Sequence, residues 1–141
     1  MLRGEFESAG ESSPEELRAA YGRLLGETIE RIGTETVAER AGLDDEVVAA
    51  VAAGEGSELT LEAAAAILAA DDRWPEAEVI VAEALDVLLM GMTTAVVDVD
   101  AVAAGVDADL DPKEVQQKVE GRHPITLAEY AAIHHFVASG G

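Results

Sequence analysis

The stretch TETVAERAGLDDEVVAAVAAGE, residues 34–55, decides the fold. Apolar residues recur at helical spacing on both sides of Gly42, and acidic and small residues fill the positions between them. Thr34 and Asp44 are residue types that cap helix N-termini, and Gly is the residue type that most often ends a helix. The stretch therefore predicts two short helices joined by a tight turn that begins at Gly42.

A second part of the chain repeats this pattern. LDDEVVAAVAAG (residues 43–54) matches LDPKEVQQKVEG (residues 110–121) at Leu, Asp, the second Val and the final Gly. LTLEAAAAI (residues 59–67) matches ITLAEYAAI (residues 125–133), and the offsets of the two blocks are 67 and 66 residues. Landmarks in the same order and at nearly the same spacing predict an internal duplication.

Helix-capping residues elsewhere in the chain predict the other helices. SSPEEL supplies Ser13 as an N-cap, Pro14 at the first helical position and Glu16 to close a capping box, for a helix that runs to about Ile32. Further helix starts are predicted at the N-cap residues Thr60, Asp98, Asp111 and Thr126, the last two inside the second copy.

The most apolar predicted helix runs from about Pro75 to Met92. It is apolar nearly all round, which predicts that it is the central buried helix. TTAVVDVD, residues 93–100, follows it and is predicted as a turn or a short extended piece.

Together these elements predict an all-α protein of about eight helices, built from two helix-turn-helix-like four-helix units related by internal duplication. Residues 1–12 are expected to form a flexible tail, residues 13–72 the first unit and residues 73–141 the second. One compact domain over residues 13–141 is the alternative. The duplication would place the two units in pseudo-twofold contact, and an oligomer is also compatible with the sequence.

The composition indicates a salt-rich environment for this protein. Asp and Glu number 29 against 9 Lys and Arg, for a net charge of −20, and aromatic residues are 4% of the chain. Excess carboxylates, very few lysines and small apolar residues are typical of halophilic archaea that accumulate salt. In molar salt the Debye length is about 3 Å, so acidity of this origin does not exclude DNA as a partner.

Other totals exclude several classes of site. The chain has no Cys, which excludes disulfides, thiolate metal sites and cysteine nucleophiles. The N-terminal sequence MLRGEFESAG lacks an apolar signal region, and no apolar run is long enough to span a bilayer. We therefore expect a cytoplasmic protein that makes no membrane contact.

The order of a short helix, a tight turn, a second helix ending in Gly and a Thr-capped helix resembles the phage-repressor type of helix-turn-helix domain. The apolar and Gly positions of that family are matched by Val48, Val51, Gly54, Val115 and Gly121, whereas Lys118 falls where an apolar residue is usual. This resemblance implies that the helix after the turn enters the major groove and contacts bases near its start. The chain also resembles small acidic haloarchaeal proteins of a family of unknown function, which implies a habitat but no mechanism.

The candidate binding residues lie in one segment of the second copy. Residues 111–124 hold both lysines and both glutamines of the chain, and the candidates for nucleic-acid binding are Lys113, Gln116, Gln117, Arg122 and His123. Gln pairs with adenine, and Lys or Arg pairs with guanine and phosphate. Residues 113–141 have no net charge, so residues 1–112 carry the whole −20. The sequence thus predicts a small DNA-binding or regulatory protein.

A helical adaptor that binds another protein is the alternative function. Three basic residues are few beside the 6–10 phosphate contacts that specific DNA-binding proteins usually make. Lys118 could instead pair with Glu114 one helical turn away. A protein partner would use the apolar face of the helix at 75–92 if that face is exposed. DNA binding requires Lys113, Gln116 and Gln117 to lie on an exposed helix face rather than against that helix.

No sequence pattern indicates catalysis or a cofactor. Asp107, Asp109 and Asp111 alternate as in a calcium loop, but Pro112 and Lys118 occupy the positions that need Gly and a bidentate Glu, so no metal site is predicted. The adjacent His134 and His135 point about 100° apart on a helix and cannot readily chelate one ion. We expect one of them to be half-buried and the other exposed, and Trp74 to anchor packing. The protein is predicted not to be an enzyme.

Overall fold

The regular secondary structure of the described residues consists of α-helices. The computed structural model describes residues 13–55, 59–106 and 108–140, so the predicted tail at residues 1–12 lies outside the described residues. Within those ranges the elements are eight helices and one isolated β-bridge: α1 (Pro14–Ile32), α2 (Thr34–Ala41), α3 (Asp45–Ala52), α4 (Leu61–Ala69), α5 (Ala77–Ala95), α6 (Val99–Gly105), α7 (Pro112–Val119) and α8 (Leu127–Ala138). The predicted all-α fold of about eight helices is confirmed.

The predicted N-caps of α1, α4, α6, α7 and α8 are confirmed. Ser13 Oγ accepts a hydrogen bond from the Glu16 amide at 3.1 Å, and Glu16 Oε1 accepts one from the Ser13 amide at 3.1 Å. Capping boxes of the same kind start α7 and α8, and the side chains of Thr60 and Asp98 cap α4 and α6. These side chains satisfy amide groups that have no partner within the helix.

The start of α2 and the end of α5 differ from the prediction. Only Gly33 separates α1 from α2, so Gly33 is the N-cap of α2 and Thr34, the predicted cap, is its first helical residue. Residues 93–95 of the predicted turn instead form the last residues of α5. Gly42 adopts the left-handed conformation at φ 71° that the sequence predicted for a helix end.

The prediction that the longest apolar helix is the central one is wrong. The packed pairs of helices place α4 and α8 between α1 and α5. α5 buries a single stripe, four residues apart along the helix, of Ile80, Ala84, Leu88 and Met92. α5 is thus a flanking helix with one face toward the core and one face toward solvent.

A buried aromatic cluster joins α1, α5 and α8. The Tyr21 hydroxyl lies 2.8 Å from His134 Nδ1, and the Tyr130 hydroxyl donates to the Ala84 carbonyl at 2.7 Å. The Tyr130 ring meets Tyr21 and His134 edge-on, with centroid distances of 5.9 Å and 5.5 Å. Each polar atom of the cluster named here has a partner, as burial requires.

The starts of α4 and α8 pair with each other. Thr60 and Thr126 form an isolated antiparallel bridge in which the Leu61 amide donates to the Ile125 carbonyl and the Leu127 amide to the Leu59 carbonyl, both at 2.8 Å. The paired residues occupy matching positions of the two sequence copies, 66 residues apart. The bridge is what a pseudo-twofold contact would produce at this point, and the duplication and the division into two units stay predictions.

Among the described residues, no single helix is both long and apolar enough to cross a membrane, and α5 with α6 meets those criteria only as a pair bent by 96°.

Candidate interaction surfaces

The five predicted nucleic-acid-binding residues lie together on α7 and the turn after it. Lys113, Gln116, Arg122 and His123 are exposed, and Gln117 is half-buried. The Gln117 carbonyl accepts hydrogen bonds from the Arg122 and His123 amides at 2.8 Å and 3.3 Å, which folds the turn back onto the helix. Lys113 and Gln116 meet the condition stated above for DNA binding, whereas the half-buried Gln117 meets it only in part.

Two of the three cations of this segment already have carboxylate partners. Lys118 Nζ lies 2.6 Å and 2.8 Å from the two carboxylate oxygens of Glu129 on α8, and both side chains are largely shielded from solvent. The pair joins α7 to α8, whereas the sequence had suggested Glu114 as the partner. Arg122 Nε lies 3.4 Å from Glu120 Oε1. Lys113 is the one cation on the segment without an ion pair among the described contacts.

Carboxylates also occupy the start of α7, where the motif would meet DNA. The Asp111 side chain accepts a hydrogen bond from the Glu114 amide at 2.8 Å, and the Glu114 side chain accepts one from the Asp111 amide at 3.4 Å. A phosphate at a helix N-terminus would need those amides and the positive end of the helix dipole. Residues 109–123 contain three Lys or Arg and four Asp or Glu, so the surface is acidic once Asp109 and Asp111 are counted.

The two adjacent histidines are more buried than predicted. His134 is 5% exposed and His135 is half-buried, because α8 packs against α1 on one side and α5 on the other. Burial, and to a smaller extent the neighbouring His135, lowers the pKa of His134 to about 4. Burial likewise raises the pKa of Tyr21. A neutral His134 that bonds a buried phenol belongs to the core of the protein.

Asp71 forms a charged cluster at the end of α4. Its carboxylate accepts hydrogen bonds from the Arg73 amide at 3.0 Å and from the guanidinium groups of Arg31 and Arg73. The Arg73 amide and the Arg31 side chain hold the pKa of Asp71 down to about 2. Arg31 is in the last turn of α1, so the cluster ties α1 to the end of α4.

The described residues contain no group of three or more His, Asp or Glu side chains placed to hold a metal ion. Asp107 of the alternating aspartates lies outside the described residues. The Asp111 carboxylate caps α7.

The outward face of α5 carries large apolar side chains. Its exposed members, called the α5 outer face below, are Val79 (43% exposed), Leu89 (39%), Met90 (54%) and, at the helix end, Val96 (89%). Glu83 and Asp86 lie between Val79 and the other three along the helix, and α5 contains no Lys, Arg or His. The condition stated above for a protein partner, an exposed apolar face on this helix, is met.

Val96 ends α5 in a conformation that its side chain disfavours. It has φ 58° and ψ 48°, and it is the one residue other than Gly with positive φ among the described residues. β-Branched residues rarely adopt this left-handed conformation, which Gly or Asn usually supplies at a helix end. A large apolar side chain that is nearly fully exposed and in an unfavourable conformation is not expected to stabilise the isolated fold.

We expect Val96→Asn to raise the free energy of unfolding by roughly 1 kcal/mol, because Asn populates the left-handed conformation at lower cost. Val97→Asn is the matched control and should lower the free energy of unfolding, since Val97 packs against the core. Urea denaturation followed by circular dichroism measures both changes. Lower stability of Val96→Asn than of the wild-type protein would mean that the Val96 side chain serves the fold.

Comparison with known proteins places the chain in a family. Residues 17–140 match the model of a protein family of unknown function, DUF5791, and the chain belongs to that family. This agrees with the expected resemblance to a family of unknown function, whereas the haloarchaeal origin and the helix-turn-helix relationship stay predictions. A search of curated proteins and a search of solved structures found no significant match.

Proposed function

We propose that this protein is a non-catalytic helical adaptor that binds another protein through the α5 outer face. The observation that carries the proposal is the placement of Leu89, Met90 and Val96 on the solvent side of a helix that buries only its opposite stripe. Exposed apolar side chains on one face of a helix are typical of protein-binding surfaces.

The charge of the helix supports a protein rather than a nucleic acid or a lipid surface as the partner. Glu78, Glu83 and Asp86 are exposed on α5, and the helix has no basic residue. A phosphate-rich partner would be repelled there. The partner surface that fits is apolar at its centre and neutral or basic at its rim.

Substitutions on the face test this proposal. The full-length protein, Leu89→Asp/Val96→Asp and the control Val47→Asp would be immobilised, and proteins retained from a lysate of the source organism would be identified at 0.2 M and 2 M KCl. Val47 is a suitable control because it is an exposed apolar residue on α3. We expect a partner that the wild type and the control retain and that the double variant binds about 10- to 100-fold more weakly, since buried apolar contacts at interfaces carry a few kcal/mol.

The measurement must also show that the variants fold, which circular dichroism checks. Retention of the same proteins by all three forms, or by none, would contradict the proposal. Because the composition is typical of a salt-accumulating halophile, binding that persists at 2 M KCl is expected of an apolar contact and not of an ion pair.

DNA binding through Lys113, Gln116, Gln117, Arg122 and His123 is the second candidate function. It is favoured by the exposure of Lys113 and Gln116 and disfavoured by the carboxylates at the start of α7. Fluorescence anisotropy with labelled genomic fragments, on the wild type and on Lys113→Ala/Gln117→Ala, tests it. DNA binding by the wild type that the double substitution abolishes would show that α7 contacts DNA. That result would replace the function proposed for the α5 outer face.

A further inference from the structure

A groove runs along the surface between α1 and the C-terminal end of α3. It encloses about 470 Å³ and is called the α1–α3 groove. The α1 side is lined by Arg18, Ala19, Gly22, Arg23 and Gly26, with Glu15 at one end, and the α3 side by residues 51–54. The buried side chains of Leu25 and Leu127 also line it.

The two glycines of α1 that line the groove, Gly22 and Gly26, are not required by the fold. Both lie in the interior of the 19-residue α1, and neither has a positive φ. A Cβ atom at Gly22 would meet nothing within 4 Å, and one at Gly26 would meet only the Ala52 carbonyl at 4.0 Å. Each Gly costs a helix interior about 0.5–1 kcal/mol relative to Ala. Contacts within the described part of the chain therefore do not require Gly22 or Gly26, and both leave room for the close approach of another backbone.

Two unpaired cations flank these glycines. Arg18 and Arg23 are exposed and make no ion pair or hydrogen bond among the described contacts, in a protein of net charge −20. The other described arginines all have a partner: Arg31 and Arg73 with Asp71, Arg40 with the Ala70 carbonyl, and Arg122 with Glu120. An arginine that stays unpaired among so many carboxylates is available to a carboxylate of another molecule.

We propose that the α1–α3 groove binds an acidic amphipathic helix of a second protein. The small residues at the floor of the groove, Ala19, Gly22 and Gly26, let a helix pack closely. Arg18 and Arg23 pair with carboxylates on the flanks of that helix. A nucleic acid fits less well, because two arginines are few beside the about 6–10 phosphate contacts that specific DNA-binding proteins usually make, and the rest of the groove lining is mostly apolar or small. This surface differs from the α5 outer face, and α4 and α8 lie between the two.

Labelled model peptides test the groove without knowledge of the natural partner. The acidic probe is a fluorescein-labelled amphipathic helix with Leu and Ala on one face and Glu on both flanks, and its control carries Lys in place of Glu. Anisotropy is measured with the full-length protein at 0.2 M KCl. The net charge of −20 alone favours the Lys peptide. Tighter binding of the Glu peptide, by roughly tenfold or more, is therefore specific evidence for the groove.

Variants locate the binding and separate it from folding. Gly22→Leu fills the groove and should abolish binding of the Glu peptide while leaving the fold intact, because no atom lies within 4 Å of the added Cβ. Arg18→Ala/Arg23→Ala should weaken binding about tenfold. Leu89→Asp on α5 should leave it unchanged, so failure of the groove is distinguishable from failure of the function proposed above.

Three results would overturn the proposal. The first is tighter binding of the Lys peptide, and the second is undiminished binding by both Gly22→Leu and the arginine double variant. The third is a dimer of the wild-type protein in light scattering that Gly22→Leu converts to a monomer, because the groove would then be an interface between copies of this chain.

Discussion

Acidification from pH 7 to pH 4 is expected to lower the free energy of unfolding by about 3 kcal/mol through His134 alone. The pKa of His134 is about 4 in the folded protein against 6.5 for an ordinary His, chiefly because the ring is buried against Tyr21 and Tyr130. Below pH 6.5 the unfolded chain binds a proton at this position and the folded protein does not. Stability is therefore lost as the pH falls from 6.5 to about 4.

His134→Gln isolates this contribution, since Gln is neutral at every pH and can accept the hydrogen bond of the Tyr21 hydroxyl. Urea unfolding of the wild type and of His134→Gln at pH 7, 6, 5 and 4 gives the difference between their free energies of unfolding. The titration of the many carboxylates is common to both proteins and cancels in this difference. We expect the stability advantage of the wild type to shrink as the pH falls. Asp71 does not interfere, because its contribution to stability is lost mainly as the pH falls from the ordinary pKa of 3.8 toward the folded pKa of about 2. Parallel pH profiles of the two proteins would contradict the burial of a neutral His134.

The second large effect is expected from Gly91→Ala, which should lower the free energy of unfolding by roughly 1–3 kcal/mol. Gly91 lies where α5 packs against α8, and a Cβ atom there would fall 2.6 Å from Val137 Cγ2 and 3.1 Å from Val137 Cβ. Val137 is itself buried and cannot move aside freely. The overlap outweighs the gain in helix propensity that Ala brings.

Gly22→Ala is the matched control, because Gly22 also lies inside a 19-residue helix but has no atom near its Cβ position. It should raise the free energy of unfolding by about 0.5–1 kcal/mol. If α5 and α8 pack as described, chemical denaturation of the two variants will show changes of opposite sign in the free energy of unfolding. Equal effects of the two substitutions would contradict that packing.

Local sequence signals predicted the helix starts because the groups involved lie within four residues of each other. Ser13 with Glu16, Asp111 with Glu114 and Thr126 with Glu129 each form a capping box wherever the helix is placed in the fold. The position of α5 could not be predicted in this way. Its sequence is apolar nearly all round, and which face is buried depends on where α4 and α8 lie.

The candidate sites were predicted less completely than the fold. The exposure of Lys113 and Gln116 follows from their helical spacing, but the pairing of Lys118 with Glu129 joins residues on different helices and leaves no local signal. The charge balance counted from residue 113 onward omitted Asp109 and Asp111, which precede α7 directly. The exposure of Val96 was also missed, because TTAVV has high strand propensity and gives no sign of a helix end.

One measurement decides most directly whether the protein binds its partner through α5 or through α7. A photoreactive benzophenone amino acid would replace Leu89 in one form of the protein and Gln116 in another, and both would be irradiated in a lysate of the source organism at 2 M KCl. We expect a discrete protein adduct from position 89 and no nucleic-acid adduct from position 116. A nucleic-acid adduct from position 116, with no protein adduct from position 89, would contradict the assignment of the α5 outer face as the binding surface.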